Sequence, residues 1–138
     1  MTKRILWIED DAYALGGLFL PLQKQGCQVE LALSALDGYN KLKNWQVYDL
    51  IVVDMFLALH AEDAPVPETV KNWAKEKFVG LGIVKYLIHE LKVTCPVMIL
   101  SIVVQGDLGI EDTNVRVISK VGITPGMVKE EIQKILGL

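Results

Sequence analysis

Four apolar runs in this sequence each end abruptly in residues able to do chemistry. ILWI runs into Glu9-Asp10-Asp11, LIVV into Asp54, VMIL into Ser101, and VRVI into Ser119-Lys120. Carboxylates, a hydroxyl and an ammonium form a coherent set if the runs lie side by side and point the same way. Clustered carboxylates repel one another, and an all-oxygen ligand set suits Mg²⁺. A carboxylate beside such an ion can attack a phosphoryl group, while a lysine and a hydroxyl hold the equatorial oxygens. Taken singly the residues have ordinary roles. Asp10 or Asp11 suits a helix cap, Ser101 a loop, and Lys120 a solvated surface. Asp54 is harder to dismiss, because a strand buried on both faces rarely ends in an unpaired acid.

The elements that must position these groups can be read from the apolar pattern. Strands are expected at residues 5–8, 29–32, 50–53, 97–100 and 115–118. Three of these runs, ILWI, LIVV and VMIL, are apolar without alternation, as strands covered on both faces must be. Between them residues 12–25, 37–44 and 81–92 read as helices, and residues 124–136 close the chain as another. Gly26 and Gly137 follow helices at positions suited to left-handed caps, and Pro21 should kink the first helix or divide it into two turns. Repeated strand–helix alternation implies one α/β domain over residues 1–138: a doubly wound, five-stranded parallel sheet with helices on both faces. In such a sheet ligands bind outside the carboxyl ends of the strands, which is where all four polar clusters fall.

Two stretches break the rhythm. Residues 58–79 form an insertion after the third strand, in which Val66, Val70, Trp73, Ala74 and Phe78 share one helical face behind Pro67 and Glu68. An extra helix is expected there. Its apolar stripe needs a cover: the domain's own flank, a second copy of the chain in a homodimer, or a partner protein. Residues 102–114 hold Gly106, Asp107 and Gly109 and leave little space for a full crossover helix between the last two strands.

Composition excludes other classes. With 14 Lys and Arg against 17 Asp and Glu, the net charge of −3 provides no basic face for direct nucleic-acid binding. Mean hydropathy is high at +0.33. Even so, the richest apolar stretch, residues 50–59, carries Asp54, so no membrane insertion is expected. Cys27 and Cys95 stand far apart without metal-ligand spacing, as buried free thiols do, and fit a reducing, cytoplasmic setting. His60 and His89 lack zinc spacing, and Gly80-Leu81-Gly82 is not a dinucleotide or P-loop signature.

The ordered set of motifs resembles the receiver domain of two-component response regulators over nearly the whole chain. ILWIEDD resembles that family's first strand and acidic pair, with Glu9 and Asp10 in the pair positions. DLIVVDMFL resembles the third strand with Asp54 as phospho-acceptor, PVMILS the fourth with Ser101, and VRVISK the fifth with Lys120. The resemblance implies a flavodoxin-like fold, with an inserted helix after strand 3 and a shortened helix 4. It also implies Mg²⁺ held by Asp10, Asp54 and the Phe56 carbonyl, with Glu9 acting through water. The expected function is phosphoryl acceptance at Asp54, Mg²⁺-dependent, from a histidine kinase or phosphotransfer protein within a phosphorelay. The chain is expected to be a signalling protein and not an enzyme, passing its output to a further protein. The alternative is a receiver-like interaction module that is not phosphorylated. An aspartyl-nucleophile phosphatase would want an acid where Phe56 stands. The chain departs from the family at Val121, where proline is usual; at Val117, the place of an aromatic switch residue; and at Ile102, where a small residue is usual. Its Gly80 also falls roughly eighteen residues later than the resemblance leads one to expect. A trans Lys120–Val121 peptide is expected, since a non-proline cis bond costs about 2.5–4 kcal/mol.

Overall fold

A computed structural model describes residues 2–73, 78–101, 114–119 and 122–138. The five apolar runs form strands β1 (Arg4–Ile8), β2 (Gln28–Ala32), β3 (Leu50–Asp54), β4 (Val97–Ser101) and β5 (Val115–Ser119). All pair in parallel, in the order β2-β1-β3-β4-β5. This is the flavodoxin-like doubly wound order, whose switch point lies between β1 and β3. The central strands are buried on both faces, which is why ILWI and LIVV read as continuous apolar runs. Ile5, Trp7, Leu50, Val52, Met98 and Leu100 face one core, and Leu6, Ile8, Ile51, Val53, Val97 and Ile99 face the other.

Helices α1 (Ala12–Lys24) and α5 (Pro125–Leu136) cover the first core, contributing Leu22, Val128, Ile132 and Leu136. Helix α1 runs unbroken through Pro21 instead of dividing there. The carbonyl left without its N–H partner is that of Gly17, on an exposed position where water can replace it. Gly26, just beyond α1, and Gly137, the C-cap of α5, have φ of 90° and 71°, the left-handed region that favours glycine.

The second core is covered by α2 (Ala35–Leu42), α3 (Glu68–Lys71) and α4 (Val79–Tyr86), with a π-helical turn, Leu87–Leu91, extending the last. Helix α2 starts two residues before the expected position because Ser34 caps it, accepting the Asp37 N–H at 3.0 Å. Lys92, in the left-handed region with φ 54°, ends the π turn.

The described residues of the insertion hold a 3₁₀ turn (Ala61–Asp63) and the short α3, which begins after Pro67. Ala74 lies outside the described residues, and the rest of the insertion's apolar face is covered by its own domain. Val66 and Val70 are buried in the second core, with Trp73 and Phe78 packed against it. Val70 and Trp73 lie directly over Gly82, where a Cβ would stand only 3.0 Å from the Val70 carbonyl oxygen. The expected shortened crossover after β4, residues 102–113, and the Lys120–Val121 peptide lie outside the described residues. No helix among the described residues is long and apolar enough to cross a membrane.

Candidate functional site

Parallel pairing brings the ends of β1 and β3 to one edge, because Ile8 stands opposite Val53. The residues that follow these partners are Glu9 and Asp54. Glu9 continues the sheet for one more step, its N–H donating to the Ala32 carbonyl at 2.9 Å. Glu9 is 2% exposed, and Asp54, the last residue of β3, is 4% exposed. Asp10 is exposed at the rim. One carboxylate oxygen from each of Glu9, Asp10 and Asp54 lies within 4.8 Å of the others.

Two backbone amides brace this cluster. The Phe56 N–H donates to Asp54 Oδ1 at 3.2 Å, and the Ala58 N–H to Asp10 Oδ2 at 3.0 Å. Two unit negative charges at this separation repel by about 3–4 kcal/mol at an effective dielectric of about 20. A divalent cation converts that repulsion into attraction. The donor set is all oxygen and includes an exposed carboxylate through which a hydrated ion can approach, so the residues present fit Mg²⁺. Among the described residues no other group of three metal-ligating side chains comes together in this way.

Of the remaining expected site residues, Ser101 and Phe56 lie among the described residues. Ser101 ends β4, one residue beyond Leu100, which pairs with Asp54; the Met55 N–H donates to the Leu100 carbonyl at 3.0 Å. Ser119 ends β5 opposite Ser101. Lys120 follows it and lies outside the described residues. Phe56 is held two residues past Asp54, its ring edge-on to Phe78 at 5.4 Å between centroids.

Asp63 went unnoticed in the sequence, and Gly80 stood out there only for its late position. Gly80, in the first turn of α4, donates its N–H to the Met55 carbonyl at 3.0 Å and sits against the Asp54 backbone. Asp63 is fully buried, accepting from the Leu36 N–H at 3.0 Å and the His60 N–H at 2.8 Å. It thereby ties the insertion to the N-terminus of α2, whose orphan donors need acceptors. The His60–Asp63 spacing of a capping box was the available signal. Nothing in the sequence says that the same carboxylate also reaches Leu36.

No protein-family model matches the sequence, and no curated protein matches it. Solved structures do. A response regulator from Thermotoga maritima aligns over 100% of both chains with 20% identity and a TM-score of 0.69. The chemotaxis response regulator CheY4 of Vibrio cholerae aligns over 99% of this chain and 100% of its own, with 17% identity and a TM-score of 0.69. A CheY-like receiver domain protein from Methanospirillum hungatei aligns over 99% and 95%, with 21% identity and a TM-score of 0.67. The chain therefore has the fold of response-regulator receiver domains along its whole length.

Proposed function

We propose that the chain is a phosphoryl-accepting signalling receiver, with Asp54 as the acceptor and a histidine kinase or phosphotransfer protein as the donor. The observation that carries this reading is the meeting of Glu9, Asp10 and Asp54 at the carboxyl edge of a receiver fold. In the reaction, an Asp54 carboxylate oxygen attacks the phosphorus of a phosphohistidine. The P–N bond breaks, its electron pair stays with the imidazole nitrogen, and an acyl phosphate forms on Asp54. Asp10, Asp54 and the Phe56 carbonyl would hold Mg²⁺, with Glu9 assisting through water, and the ion would offset charge on the phosphoryl oxygens. Ser101 and Lys120 would hold those oxygens.

The chain is then a phosphorylated protein and not an enzyme acting on outside substrates. It works in the cytoplasm and signals through protein contacts. The test is incubation with Mg²⁺ and a small acyl phosphate, followed by intact-mass measurement. The expected result is an acid-stable, base-labile phosphoryl adduct that requires Mg²⁺ and is abolished by Asp54→Asn. An unmodified wild-type chain, or an adduct that survives Asp54→Asn, would overturn the assignment; the first outcome favours an unphosphorylated interaction module.

A further inference from the structure

The insertion begins and ends on the acidic site. At its start the Ala58 N–H holds Asp10 Oδ2 at 3.0 Å. Just past its end the Gly80 N–H holds the Met55 carbonyl, next to Asp54. Among the described residues of the segment, contacts away from the site hold it in place. Leu57, just before the insertion, is buried; within it Asp63 fastens the 3₁₀ turn to α2 through Leu36 while Val66 and Val70 enter the core. The Ala58 amide thus joins a docked segment to the exposed carboxylate of Asp10.

We propose that the insertion is a cation-coupled element, with Ala58 as a positioning residue whose backbone amide orients Asp10 for a divalent cation. This rests on the reading of Glu9, Asp10 and Asp54 as a Mg²⁺ site. A carboxylate has several lone pairs, so one oxygen can accept from Ala58 while others remain for the ion. The bond is charge-assisted, and it removes rotational freedom that Asp10, exposed at the rim, would otherwise lose only when the ion binds. Loosening the insertion therefore weakens the ion. Linkage is reciprocal, so the ion must tighten the insertion by the same factor.

The experiment titrates Mg²⁺, and separately Mn²⁺, by calorimetry into the wild type, Asp63→Asn, Ala58→Pro and Ala58→Gly. Amide exchange over residues 57–66 is followed with and without Mg²⁺, at a temperature where every variant is folded. Asp63→Asn keeps the site intact but leaves a single acceptor oxygen for two N–H groups. Ala58→Pro deletes the donor, and Ala58→Gly keeps it. Outer-sphere partners typically alter metal affinity by about 10–100-fold, and an exposed bond belongs at or below the low end, so losses of about 3–10-fold are expected for Asp63→Asn and Ala58→Pro. Ala58→Gly should bind nearly as the wild type does, and Mg²⁺ should slow exchange in the wild-type insertion. Equal affinity in all four proteins, with faster exchange in Asp63→Asn, overturns the coupling and leaves the metal site standing. A wild type that binds neither ion overturns both. Asp63→Asn decides the matter even if Ala58→Pro fails to fold.

Discussion

Helix α4 approaches the end of β3 so closely at Gly80 that only hydrogen fits on its α carbon. A Cβ added there would lie 1.9 Å from the Asp54 carbonyl oxygen, 2.6 Å from the Asp54 carbonyl carbon and 2.7 Å from Met55 Cα. Real Cβ atoms essentially never come within 3.0 Å of such atoms, and all three belong to backbone, which cannot rotate aside. Gly80→Ala must therefore push the N-terminus of α4 away from the sheet. Overpacking of this kind costs about 1–3 kcal/mol. Separating the Gly80 N–H from the buried Met55 carbonyl adds about 1–3 kcal/mol. Against this, alanine gains up to about 1 kcal/mol over glycine inside a helix. The clash wins, with a net loss of about 2–4 kcal/mol, a large share of the 5–15 kcal/mol typical of a domain.

Urea denaturation checks the sign. At an m-value of about 2 kcal/mol per molar, the midpoint of Gly80→Ala should fall by about 1–2 M. Gly17→Ala in α1 is the matched control. Among the described residues its Cβ would meet only Pro125 Cγ, at 3.8 Å, so it should be neutral or gain up to about 1 kcal/mol from helix propensity. A Gly80→Ala midpoint at or above the wild-type value would show that α4 does not press on the Asp54 backbone, and the geometric reasoning would fail.

Two further outcomes are expected. Trp73→Ala should lower stability by about 2 kcal/mol, less than the 3–5 of a fully buried tryptophan, because the ring is only partly buried, between Gly82 and the Lys85 ammonium. The loss in thermal scans should be the same at every protein concentration; a concentration-dependent loss would assign the ring to an interface between copies. Burial pushes the Cys95 thiol up from 9.0 to about 11, and burial also raises Cys27. Alkylation of Cys95 should therefore be slow at neutral pH and keep rising to about pH 11, and a plateau below pH 9 would refute this. The folded-state value is raised, so the stability this thiol contributes is complete below pH 9.0 and is lost as pH climbs toward 11.

The strands were legible because their burial leaves no alternative. A run such as LIVV has no polar face to show solvent, and β3 is indeed buried at every residue. The carboxylates were legible for the same reason, since Asp54 interrupts an apolar stretch where nothing else explains an acid. Ser34-x-x-Asp37 carried a cap signal that would have placed the start of α2 correctly, but the apolar period drew the boundary inward. Exposure of Arg116 and Val117 in β5 follows from a position at the edge of the sheet, which the sequence does not reveal. The contacts of Asp63 and Gly80 were hidden for a deeper reason. Each acts on a backbone distant in the chain (Leu36 for Asp63, Asp54 and Met55 for Gly80), and no local pattern records what a folded neighbour will present.

The same two residues explain how the fold accommodates so long a detour between β3 and α4. Closing a flexible loop costs only about 0.6 kcal/mol more for each doubling of its length, so the added residues raise closure by about 1 kcal/mol. Burying a single valine contributes more than that, and the insertion buries Val66 and Val70. Length is therefore not the constraint; the two ends are. The chain leaves the site at Met55 and must return with a residue lacking a side chain, so that the Gly80 N–H reaches the Met55 carbonyl without displacing Asp54. Between the ends Asp63 fastens the 3₁₀ turn to α2, and Val66 and Val70 hide the apolar face in the second core. The amides that start and finish the detour bind the Asp10 carboxylate and the Met55 carbonyl, so both of its ends are anchored at the site itself.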